Sequence, residues 1–168
     1  MSLNHLLQRG TPILAAVALA AMPLRAAATD LSSTFNVTAT VLATCTLSAG
    51  NVAFGNYAAG QLDATGTLSV TCTTGASYVI GLDAGTGSGA TVATRRMTNG
   101  ANSAQTLAYS LYRDASRALV WGTTLGVNVY AGVGTGSAQS VTVYGRVAGA
   151  QYPESGAYTD TVTATITY

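Results

Sequence analysis

The chain closes on an almost unbroken period of two: Tyr158, Asp160, Val162, Ala164, Ile166 and Tyr168 alternate with Thr159, Thr161, Thr163, Thr165 and Thr167. Successive side chains of a strand point to opposite faces, so this segment presents one mostly apolar face and one hydroxyl face. A 3.6-residue helical period cannot do so. The pattern predicts a long strand running to the C-terminus. Shorter β-rich runs precede it at residues 66–73, 77–82, 107–113 and 140–147, each bounded by Gly, Asn, Asp or Ser. No segment after residue 28 combines helical periodicity with caps. The expectation is an all-β chain of seven or eight antiparallel strands at short spacing, an immunoglobulin-like antiparallel β-sandwich with almost no helix.

Composition agrees with sheets and turns. Charged residues make up 8% of the 168, against about 25% in an ordinary soluble domain, while 48% are hydrophobic and 19 are glycine. Such a chain can bury a core, which argues against intrinsic disorder. With a formal net charge of +1 and no lysine, it lacks the clustered cations that nucleic-acid binding requires. No nucleic-acid partner is expected.

The first 28 residues read as an export signal. Arg9 supplies a positive start, residues 13–21 (ILAAVALAA) form an apolar run too short to span a bilayer, and Pro23 precedes the small residues Ala26, Ala27 and Ala28. Cleavage is expected after Ala28, leaving residues 29–168 as one domain. Export favours oxidised cysteines, so Cys45 and Cys72 are expected to form a disulfide whose loop closure stabilises the fold by roughly 3 kcal/mol. A metal or redox pair would need a CxxC spacing or further ligands, which the sequence lacks.

Missing side chains limit the chemistry. The single histidine, His5, lies inside the export segment, and lysine is absent, so a domain starting at residue 29 has neither an imidazole base nor a Schiff-base amine. The carboxylates Asp30, Asp63, Asp83, Asp114, Glu154 and Asp160 are scattered singly. A glycosidase-type pair could arise only through folding. The stretches GTGSG (85–89) and GVGTG (132–136) lack the GK[ST] ending of a phosphate loop and read as hairpin loops. Arg113, Asp114 and Arg117 read as a solvated loop with an ion pair worth at most about 1 kcal/mol. Neither catalytic nor metal-ligating residues are expected, nor any cofactor.

Upstream of Cys45, Phe35, Val37, Ala39 and Val41 alternate with Asn36, Thr38 and Thr40, the pattern of a half-buried strand. By residues alone, this strand either belongs to its own sandwich or reaches out to pair with another sheet edge.

Several ordered motifs together resemble the spore coat protein U-like domain found in subunits of archaic chaperone/usher pili. They are Cys45, FGNY (54–57), SVTC (69–72), Tyr78, Arg96-Met97, LAYSLYRD (107–114), Trp121-Gly122, VYGRV (143–147) and GAYTDTVTATITY (156–168). The resemblance spans the chain after the export segment. It implies an incomplete sandwich completed by a donor strand from a neighbouring subunit. The donor segment would be residues 29–44, with Phe35, Val37, Ala39 and Val41 as the inserting face. It further implies three partners: a periplasmic chaperone, an outer-membrane usher, and identical or related pilin subunits. The chaperone would lie beside the stripe Val162, Ala164 and Ile166, with the Tyr168 carboxylate as its anchor. The expected product is a secreted protein, periplasmic in transit and then a cell-surface fibre serving adhesion or biofilm formation. A self-complemented coat or binding protein that does not polymerise is the alternative.

Overall fold

A computed structural model describes residues 27–168; the expected export segment lies outside the described residues except for Ala27 and Ala28. The chain divides into two units between Ala39 and Thr40. In the first, residues 27–39 are all exposed and carry neither strand nor helix.

The second unit, Thr40–Tyr168, holds nine antiparallel strands and no helix among its described residues. They are β1 (Cys45–Ala49), β2 (Leu62–Cys72), β3 (Ser77–Leu82), β4 (Arg95–Asn99), β5 (Thr106–Tyr112), β6 (Tyr130–Val133), β7 (Gln139–Val147), β8 (Tyr158–Thr159) and β9 (Ala164–Thr167). Six form one sheet in the order β1-β2-β7-β5-β4-β8, and three form a second in the order β6-β3-β9.

Alternation decides what lies between the sheets. Leu68, Val70 and Cys72 of β2, Leu107, Tyr109 and Leu111 of β5, and Val141, Val143 and Val147 of β7 all point inward from the larger sheet. Tyr78, Ile80 and Leu82 of β3 meet them from the smaller. The outward positions of β2 and β7 carry Thr65, Thr67, Ser69, Thr71, Ser140 and Thr142, hydroxyl side chains suited to a solvated face. Trp121 is fully buried, and its indole N–H donates to the Ile80 carbonyl at 2.8 Å, satisfying the one polar atom the ring brings into the core.

Two expected strands take a different form. Residues 35–41 are not a half-buried strand of this sheet system, because no strand precedes Cys45 among the described residues. Phe35, Val37 and Val41 are 82–85% exposed. A strand needs a neighbour for its backbone N–H and C=O groups, and apolar alternation alone supplies none. The expected closing strand is also divided. Its first part, β8, pairs with β4, and its last, β9, pairs with β3 in the other sheet. Residues 160–163 cross between the sheets.

Candidate functional site: an open groove between the sheets

Among the described residues the smaller sheet ends at β9, which has a ladder partner on one side only, and the larger sheet ends at β1. Between the segment following β1 and the segment joining β8 to β9 runs a cleft of about 500 Å³. Ala49–Phe54 form one wall, and Tyr158, Asp160, Thr161, Val162 and Ala164 form the other. Its floor is the core itself: Leu68, Leu82, Tyr109, Leu111 and Val143 line the cleft although each is at most 6% exposed. A second cleft of about 950 Å³ adjoins it, sharing Val52, Ala53, Phe54, Met97 and Tyr158 and continuing past Tyr57 and Tyr152.

The first wall stands where it does because two facing strands carry glycine beneath it. A Cβ at Gly66 would lie 2.7 Å from Val52, and one at Gly145 would lie 2.7 Å from Phe54. Absence of both side chains lets the chain leave the β1 edge and lay Val52 and Phe54 across β2 and β7. Phe54 then meets Tyr109 edge-on, ring centroids 6.0 Å apart.

The second wall is held by carboxylates. Asp160 Oδ1 accepts from the Thr86 N–H at 2.7 Å, the Thr86 hydroxyl at 2.9 Å and the Thr161 N–H at 2.8 Å. Its Oδ2 accepts from the Tyr109 hydroxyl at 2.6 Å. Asp83 Oδ1 accepts from the N–H groups of Gly85 at 3.0 Å and Thr163 at 2.9 Å, and the Asp83 N–H donates to the Thr163 carbonyl. Behind them Arg95 is fully buried and donates to four carbonyls, those of Asp83, Val92, Leu82 and Trp121. Burial lowers the Arg95 pKa, opposed by Tyr109, Asp83 and Asp160; guanidinium nevertheless stays charged in proteins. Burial and the bond to Asp160 push the Tyr109 phenol up, so it acts as a donor. Burial raises Asp83, but the bonds from Thr163 and Gly85 and the nearby Arg95 outweigh it and leave its pKa below the ordinary carboxylate value.

The expected site residues fall in three places. Cys45 and Cys72 are register partners of β1 and β2 and are joined as a disulfide. Of the C-terminal stripe, Val162 stands in the groove wall between strands, Ala164 and Ile166 lie in β9 packed against the core, and Tyr168 lies just beyond β9, 56% exposed beside an apolar patch that includes Val79 and Val133. Phe35, Val37, Ala39 and Val41 are exposed, as above. The charged loop's ion pair takes its carboxylate from β2. Arg113 donates to the Val129 and Val127 carbonyls, Asp114 accepts from the N–H groups of Ala118 and Leu119, and Arg117 lies 3.5 Å from Asp63. Asp63 is held more firmly by Arg146, at 2.7 and 2.9 Å. Sequence reasoning missed the Asp83, Arg95, Tyr109 and Asp160 assembly. Its one visible signal was Asp160, a carboxylate on the inward face of an otherwise apolar series.

An antiparallel two-sheet sandwich with an open groove along its core defines an immunoglobulin-like class of protein, and the comparisons narrow it. The Spore Coat Protein U domain model matches residues 31–165, and the chain belongs to that family. Protein U of Myxococcus xanthus is 40% identical over 159 residues, covering 85% of this chain and 88% of its own. Among solved structures, the chaperone–tip adhesion subunit pre-assembly complex CsuC–CsuE, from archaic chaperone-usher Csu pili of Acinetobacter baumannii, shares the fold with a TM-score of 0.56 at 22% identity. The likeness covers 77% of this chain and 40% of that one. The family is structural, not enzymatic.

Proposed function

We propose that this protein is the structural subunit of a secreted surface fibre, built by donation of residues 29–44 of one copy into the groove of the next. The observation that carries the reading is a groove floored by core side chains. Water over the half-buried Val52, Phe54, Met97 and Val162 that line it above that floor is costly at roughly 25 cal/mol per Å² of apolar surface, so the groove favours an apolar strand as occupant. Phe35, Val37, Ala39 and Val41 supply a matching face, and the unpaired edge of β9 supplies backbone partners. Residues 1–28 direct export. In the periplasm a chaperone occupies the groove beside Val162, Ala164 and Ile166 and holds the Tyr168 carboxylate, and an outer-membrane usher exchanges it for the next subunit. The fibre serves adhesion or biofilm formation. Protein U and the Csu tip subunit support this reading as a family relative and a fold relative.

The test is Val37→Asp. A carboxylate entering an apolar groove carries a desolvation cost of several kcal/mol, so the variant is expected to stay soluble with its chaperone and to yield no fibres by electron microscopy. Fibres of normal length from this variant would refute donation. Native subunits that stay monomeric would favour the self-complemented coat protein.

A further inference from the structure

We infer that the turn following β3 is a carboxylate cradle whose purpose is to hold the groove's second wall in place while the groove is empty. The inference rests on the groove reading above. Residues 160–162 leave one sheet before joining the other and have no ladder partner among the described residues, while Thr163 keeps a single backbone bond, from the Asp83 N–H. Four donors converge on the Asp160 carboxylate instead, and three of them come from outside its own segment: the Thr86 N–H, the Thr86 hydroxyl and Tyr109. Tyr109 is part of the groove floor, so one carboxylate links floor, wall and the turn behind the wall.

Gly85 shows that the fit is built. Its φ of +81° favours glycine, and a Cβ there would overlap the Asp160 carboxylate. Gly87 is closed to a side chain as well, by the Arg96 carbonyl. The GTGSG stretch thus resembles a phosphate loop because it does related chemistry, presenting donors to an anion at close range. The anion is the chain's own Asp160. Asp83 performs the same service one step further along by taking the Thr163 N–H. Asp160 and Thr86 are accordingly positioning residues, and Thr86 does not itself line the groove.

The experiment uses the oxidised full chain carrying Val37→Asp, so that no copy's own segment fills the groove and this chain stands as native for the cradle, and a fluorescent synthetic peptide of the unaltered residues 29–44, with affinity read by anisotropy and amide exchange followed over residues 158–164. Asp160→Ala removes bonds to a charged acceptor, and about tenfold or greater weakening of peptide binding is expected. Because Asp160 borders the groove, the deciding pair is Thr86→Val and Thr86→Ser. Valine keeps the size and loses the hydroxyl; serine keeps the hydroxyl. Thr86→Val should bind the peptide several-fold more weakly and exchange faster at residues 160–163, with Trp121 fluorescence unchanged, and Thr86→Ser should recover most of the affinity. This pair also decides the matter if Asp160→Ala does not fold. Equal affinity for native, Thr86→Val and Thr86→Ser chains would overturn the cradle alone. Failure of the native chain to bind the peptide would overturn the donor reading, and the cradle's role with it.

Discussion

Asp83 sits where the smaller sheet hands over to the turn behind the groove, and its charge is stabilised there by two backbone N–H groups and a buried arginine. Its folded-state pKa is depressed, so its contribution is present above the ordinary carboxylate value near 3.8 and is lost as pH falls through the lower folded value. Thermal stability should therefore drop below about pH 4. Asp83→Asn, compared with the native chain by near-UV circular dichroism from pH 7 to pH 2, should flatten that acid limb; parallel curves would contradict it. The Cys45–Cys72 bond closes a loop across a single pair of adjacent strands. Cys72→Ser should cost about 3 kcal/mol in urea unfolding, and titration of the denatured, unreduced native chain should find no free thiol. Both cysteines were legible as a pair because export and the absence of other ligands left them one role. Arg95 was not legible: nothing in RRM at 95–97 tells which arginine turns inward, since that depends on carbonyls from two distant segments, Leu82-Asp83 and Trp121.

At the scale of elements, alternation found the long inward-facing strands and failed where length or partner decides. Residues 66–73, legible from alternation, and 140–147, legible as a β-rich run between turn residues, form the longest ladder, although β2 already begins at Leu62. Strand β4 carries two arginines and β6 contains a glycine within four residues, so neither shows a period. The closing strand was read as continuous because period two reports which face a residue uses and not which sheet it joins. Its break follows from two carboxylates: Asp160 accepts from the Thr86 N–H and Asp83 accepts from the Thr163 N–H, and together they draw residues 160–163 towards the 83–86 turn. β9 ends at Thr167 and is followed by Tyr168, the residue whose carboxylate is proposed above as the chaperone's anchor. Residues added beyond Tyr168 would move that carboxylate without touching the core. Co-purification of the extended subunit with its periplasmic chaperone should fall well below native, with proteolysis of the free subunit; equal recovery would contradict the anchoring role.

At the scale of the molecule, the proposed reading gives one chain both a donor, the exposed apolar segment at 35–41, and an acceptor, the open groove of the sandwich. Burial of both faces separately in one copy, or jointly between copies, is the choice that distinguishes a coat protein from a fibre. A heterologous contact of this kind propagates as a filament where the rotation between copies does not close into a ring. The central claim is that the segment acts on another copy, and a photo-crosslinker at position 37 tests it most directly. Equal amounts of isotopically light and heavy chains, both carrying the crosslinker, would be assembled, irradiated and digested. The account predicts crosslinked peptides joining residue 37 to the groove walls at 49–54 or 158–164, with about half of them pairing light with heavy chain as random mixing between copies requires. Crosslinks joining only light to light and heavy to heavy would show the segment filling its own groove and would contradict the fibre.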